Sequence, residues 1–213
     1  MRKIVLLALM ALSMTALAQT VTPLNIQIAD PKLDSLRTLY IAEPTMYRAS
    51  LEVLAQGLDK NADEIKAAKA ELKAEQSHGK EMEKSIKEAT RFTASLQKIY
   101  SKEESELKKM QKTVEKQQKT LNKQKGLNQQ TRESYLQFLE TQQKELGYSL
   151  REVAERKRAV TDLETSIQNA QTTLQSYIQE VQQKALDLTI IETKYKEYSK
   201  AVKAEQKAAK SMQ

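Results

Sequence analysis

Apolar residues return every three or four positions from Leu51 to Leu121 and again from Leu136 to Val202, with polar residues between them. One heptad frame spans the first stretch. Its a row runs by sevens from Leu51 to Leu121 and holds Leu, Ile, Val or Tyr except at Gly79 and Thr93. Its d row runs from Leu54 to Gln124 and is broken by Asn61, Glu75, Glu103, Gln117 and Gln124. A 3.5-residue repeat sustained this long, with no shift of register, predicts a coiled-coil seam that is loose at those d positions. The frame crosses "SHGK" (77–80) without a slip. Gly79 therefore belongs inside the helix, at a cost of about 1 kcal/mol relative to alanine.

The second stretch opens with Leu136, Gln143, Leu150 and Lys157 at a, and Leu139, Leu146, Val153 and Val160 at d. The phase then skips three residues. A new frame carries Leu163, Ala170, Tyr177, Lys184, Ile191 and Tyr198 at d, with Ile167, Leu174, Val181, Leu188, Tyr195 and Val202 at a. Between the stretches, "KQKGLNQQ" (123–130) loses phase and supplies Gly126 and Asn128, residues that end helices. Nearly equal arms about a short glycine-containing connection predict an all-α fold, a long antiparallel coiled-coil helical hairpin. Arm 1 covers 45–124, the turn 125–129 and arm 2 130–213. At 1.5 Å per residue each arm would be about 120 Å long. Folding back sets Gly79 opposite Leu174 and Tyr177, where the missing side chain would make room for the ring.

Residues 19–44 form a short N-terminal segment of mixed character. Leu24, Ile26 and Ile28 alternate with polar residues and predict a short strand. "ADPKLDSLRTLY" predicts a short helix, with Asp30 as N-cap, Pro31 at its first position, and Leu33, Leu36 and Leu39 or Tyr40 as its apolar stripe. A bend at Ala42–Glu43 precedes Pro44, which opens the next element. Residues 1–18 are set apart. Arg2 and Lys3 precede an apolar run from Ile4 to Ala18 that ends in small residues, the plan of a signal peptide cleaved after Ala18. The run is shorter than the roughly 20 residues of a spanning helix. The most apolar later stretch, "ALDLTIIE", contains two acids. A periplasmic or secreted chain without a transmembrane anchor after cleavage is expected.

Composition sharpens this picture. All three prolines precede residue 45, aromatic residues make up 5% and charged residues 30% of the chain, and cysteine is absent. Such a chain reads as long helix. The lack of cysteine excludes an N-terminal lipid-modified cysteine, disulfides, thiol catalysis and thiolate metal sites. His78 is the only histidine, placed on a predicted helix surface without further ligands, and no phosphate loop, paired-carboxylate cleft or metal-spaced cluster occurs. These absences argue against an enzyme and imply no cofactor.

The net charge of +7 is unevenly spread, with "KKMQKTVEKQQKTLNKQK" (108–125) holding seven lysines and one acid, Glu115. Lys108, Lys109, Lys112, Lys116, Lys119, Lys123 and Lys125 form a candidate anion- or partner-binding basic tip beside the turn. The blander reading is a solvated face whose cations complement a helix C-terminus. Nucleic acid is a poor candidate and no nucleic-acid partner is expected, because export removes the chain from it and no arginines or aromatics interleave with the lysines.

The signal segment ending Ala16-Leu17-Ala18 before Gln19, followed by a basic, cysteine-free helical chain, resembles exported coiled-coil proteins of Gram-negative bacteria. In architecture and charge it is also similar, more weakly, to the Skp/OmpH-like periplasmic chaperones, whose helical arms cage unfolded clients as trimers. Together these features predict a non-enzymatic exported structural or adaptor protein of the cell envelope, acting through protein partners there and able to form homo-oligomers. The alternative is a holdase chaperone for unfolded exported proteins, as the second resemblance implies.

Overall fold

The computed structural model describes residues 20–124 and 126–211, and is helical there without any strand. The signal peptide expected over 1–18, its cleavage site after Ala18, and Lys125 lie outside the described residues. Three helices follow in order: α1 (Leu33–Ala42), α2 (Pro44–Lys123) and α3 (Gln129–Ser211). Pro44 suits the first helical position, where its missing N–H costs nothing. Beyond it α2 and α3 contain no proline and are rich in Ala, Leu, Glu, Lys and Gln, the residues that lose least on entering a helix.

Helices α2 and α3 pack against each other as an antiparallel hairpin. Partners fall along α3 as they rise along α2: Tyr47 bonds Glu205, Glu75 bonds Lys184, Glu104 bonds Lys157 and Gln118 bonds Gln143. Contacts divide the chain into two units. The turn unit spans Glu83–Thr172, and the terminal unit joins the described residues up to Met82 with those from Thr173 onward.

In the turn unit, Val114 and Leu121 of α2 meet Leu139 and Leu146 of α3, with Leu107, Leu127 and Leu136 packed around them. Each fully buried aliphatic side chain of this kind contributes about 1.5–3 kcal/mol. The heptad frame of α2 does not run unbroken here. Met110 is 56% exposed. Gln117 and Gln124 are exposed too, while Gln111 and Gln118 are half-buried. Beyond Tyr100 the second buried row thus lies one residue later than the repeat predicts. The step from Leu96 through Tyr100 to Glu104 is four and then four residues, a local unwinding of the seam. It faces the stretch of α3 where three residues are skipped, since Lys157 bonds Glu104 and Gln97 donates to Glu164. Both helices change phase at one level, so the apolar rows stay facing each other.

Helix α2 ends because Gly126 takes φ 97°, open to glycine and disfavoured for L side chains. The Arg132 guanidinium donates to the Gln124 carbonyl and satisfies one of the acceptors left at that end. Asn128 does not close α2; it opens α3. Its side-chain oxygen accepts from the Gln130 N–H at 3.0 Å, as an N-cap does.

In the terminal unit, Leu33, Leu36, Leu39 and Tyr40 pack on Tyr47, Leu51 and Ala209. One carboxylate ties the three helices together. Glu205 of α3 receives two bonds from Arg37 of α1, both 2.9 Å, and one from the Tyr47 hydroxyl of α2 at 2.7 Å. Asp30 is not the N-cap of α1. It accepts from the Lys32 N–H at 3.0 Å, and Lys32, at φ 43°, occupies the cap position with no side-chain cap bond. The α1 helix consequently starts at Leu33, two residues after Pro31.

The expected strand is absent. Residues 20–32 form no regular element, and the alternation of Leu24, Ile26 and Ile28 has another cause: these side chains pack on Ile65, Ala68 and Leu188. Two polar d-row residues of α2 hold this strap. Glu75 accepts from the Thr22 N–H at 3.0 Å, and Asn61 donates to the Gln27 carbonyl at 3.3 Å. What reads as looseness in the heptad is the attachment of a third layer.

Candidate functional site: the basic face of α2

Six of the seven tip lysines lie on α2, and all six are exposed: Lys108, Lys109, Lys112, Lys116, Lys119 and Lys123. With about 100° between successive residues, they share one sector of roughly 100°. It points away from Leu107, Val114 and Leu121, the residues that face α3. Five cations outside the tip extend the same face: Lys84, Lys87, Arg91, Lys98 and Lys102, each exposed. All eleven fit a sector of about 120°. Local charge density misses the five because they are spaced by three to seven residues. Helical phase recovers them, since each stands clear of the apolar rows.

Charge is divided between the helices of the turn unit. Residues 83–123 of α2 hold eleven Lys and Arg against six Glu, whereas residues 129–172 of α3 hold six against seven Asp and Glu. The acids of α2 do little to neutralise the basic face. Glu83 pairs with Lys87 at 2.5 Å and Glu106 with Lys102 at 3.9 Å. Glu104 accepts from Lys108 at 2.5 Å and from Lys157 of α3 at 2.7 Å, and these two hydrogen bonds, Lys108 first, hold its carboxyl down to about 2. Glu103 turns to Arg156 of α3 at 3.6 Å. The remaining eight cations, Lys84, Arg91, Lys98, Lys109, Lys112, Lys116, Lys119 and Lys123, have no carboxylate partner among the described residues.

Beside this face runs a second, different one. Phe92, Ile99 and Met110 are 37%, 56% and 56% exposed. They fall within about 20° of one another around α2. Glu88, Glu103 and Glu106 flank them. Met110 also lines an open groove with Leu107, Val114 and Leu146.

No family model, curated protein or solved structure matches the chain. Function must therefore be argued from its own residues.

The structure moves His78 from the predicted surface into a half-buried position, its ring edge-on to Tyr177 with centroids 5.8 Å apart. Tyr177 itself is buried, donates to the Glu75 carbonyl at 3.1 Å, and has its phenol pushed up in pKa, chiefly by burial. Gly79 does adjoin this ring, but a Cβ there would sit 3.5 Å from Tyr177 Cε1, an ordinary contact. The ring does not need the glycine. Among the described residues no group of three His, Cys, Asp or Glu could hold a metal ion, and no helix is long and apolar enough to cross a membrane.

Proposed function

We propose that this chain is an exported, non-enzymatic coiled-coil adaptor of the cell envelope, periplasmic or secreted, which acts by binding protein partners. The reading is carried by the exposed stripe of Phe92, Ile99 and Met110, set in register along one side of α2. The three large apolar side chains stay exposed in one phase over about 27 Å of helix, so a partner helix lying along this side would remove all of them from water. The spacing of seven and eleven residues suits an apolar stripe on a partner helix. The coiled-coil character of α2 and α3 belongs to the same proposal, supported by the a row of α2 and the last seam of α3.

The test places a photo-crosslinking residue at Ile99 in cells of the source organism, with a second at Gln56 as a control in the terminal unit. An adaptor gives one discrete adduct at Ile99, lost when Phe92 and Met110 become serine. The same apolar stripe also suits the chaperone reading. That reading predicts a ladder of adducts and suppression of client aggregation by the purified chain. Fractionation by osmotic shock, with N-terminal sequencing, tests export: the recovered chain should begin at Gln19.

A further inference from the structure

We propose that the basic face of α2 docks on anionic phospholipid headgroups at a bilayer surface. This goes beyond binding of protein partners and does not depend on it, since the basic face and the apolar stripe are separate sides of the helix.

Three observations select this occupant. The first is extent. From Lys84 to Lys123 the cations run along roughly 60 Å of helix at 1.5 Å per residue. All of that length lies within the turn unit. A straight row of this length matches an extended anionic surface better than a compact ligand. The second is residue type, because ten of the eleven cations are lysine and only Arg91 is arginine. Lysine is depleted in protein–protein interfaces, whereas arginine is favoured where planar, two-pronged recognition of a phosphate or carboxylate is needed. A flexible point charge suits diffuse negative charge at a headgroup layer, where each lysine near the surface adds attraction on its own.

The third observation is what stands between the cations. Thr90, Ala94, Ser101, Ser105 and Thr120 share the face, all small or polar and exposed, and the one acid within it is Glu83, which is paired with Lys87. No aromatic ring is available to stack on bases, which removes the main anchor for single-stranded nucleic acid. No bulky apolar side chain is present to insert among acyl chains either. Docking is therefore electrostatic, lies at headgroup level, and must weaken with salt as the screening length shortens from about 10 Å at 0.1 M to about 3 Å at 1 M.

The full chain is sedimented with vesicles of phosphatidylglycerol and phosphatidylcholine in equal parts, and with phosphatidylcholine alone. The difference between the two is the readout, because the apolar run from Ile4 to Ala18 contributes to both. Changing Lys109, Lys112, Lys116 and Lys119 to Gln should weaken binding to the anionic vesicles about fivefold per residue, several hundredfold in all. Changing Lys66, Lys73, Lys194 and Lys200 to Gln removes the same charge from the terminal unit and should leave binding within a few-fold of the parent. Circular dichroism checks that both variants stay helical. Equal losses in the two variants would reduce the effect to net charge and overturn the proposal. So would binding of heparin, as a soluble acidic glycan, without binding of the anionic vesicles at the same salt.

Discussion

Changing Glu75 to Ala strands a buried ammonium. The Lys184 side chain is 4% exposed, and its Nζ lies 2.8 Å from Glu75 and 3.7 Å from Glu71. Removing one partner of a buried pair costs about 3–5 kcal/mol, because the charge left behind has lost its water and its counterion. Glu71 is mostly exposed and offers partial relief, which sets the expected loss for Glu75→Ala near 3 kcal/mol. The Thr22 N–H also loses its acceptor, so residues 20–32 should loosen with it. Lys184→Met, which keeps the stem and drops the charge, should lose a comparable amount. The double variant Glu75→Leu/Lys184→Met should recover to within about 1 kcal/mol of the parent, since well-packed apolar groups commonly replace a buried pair without loss. The pair also favours one register of the two helices. Sliding α3 by one heptad would set Lys184 against Ala68 or Met82 and bury an unpaired charge. Hydrogen exchange across 65–82 and 177–191 reads the opening free energy of this region without requiring two-state unfolding of the whole chain. A loss below about 1 kcal/mol for Glu75→Ala, or a double variant weaker than both single ones, would mean that the Lys184 charge is not held by Glu75.

Gly79→Ala should raise local stability by about 1 kcal/mol, because it removes a helix-interior glycine and its Cβ would meet Tyr177 at ordinary contact distance; chemical denaturation measures the gain. Gly126→Ala should lower stability by about 1 kcal/mol on the same assay, since φ 97° strains any L side chain even though open space surrounds the new Cβ. The Glu205 carboxyl is held below its usual range, chiefly by the Arg37 hydrogen bond and against the opposing effect of burial. Its contribution is therefore present above the unfolded carboxylate value of about 4.3 and lost as pH falls through the lower folded value; Glu205→Gln should flatten that part of a melting-temperature profile. Burial, with the bond to Glu205, pushes the Tyr47 phenol up to about 12, and burial raises Tyr177 as well, so ultraviolet titration should show a late-ionising fraction in the parent that shrinks in Tyr47→Phe.

Much of the fold is legible along the chain because it depends on neighbours. Helix over α2 and α3 follows from residue type and the absence of proline, and the break at Gly126 follows from a conformation few other residues adopt. The rows centred on Leu51 and Leu188 follow from period alone. The basic face was legible in part: lysine density marks 108–123, while Lys84, Lys87, Arg91, Lys98 and Lys102 emerge once helical phase is applied over a longer span. Asp30 and Asn128 show the limit of local rules. Each has capping chemistry, yet Asp30 bonds Lys32 outside α1 whereas Asn128 caps α3, and the left-handed turn at Lys32 makes that difference.

Residue order alone sets where helices form, where the chain turns and, except in the second row of α2 beyond Tyr100, which side of each helix is apolar. What the polar positions in those apolar rows are for depends on which segments they meet once packed. Asn61 and Glu75 fasten residues 20–32, and Glu75 also neutralises Lys184, which lies 109 residues further on. The phase change after Tyr100 makes sense only beside the skip near Val160 on the other helix. Period and propensity are properties of adjacent residues and can be read in order. The partner of a buried charge is chosen by the register of packed helices, and that register exists only once the chain has folded back.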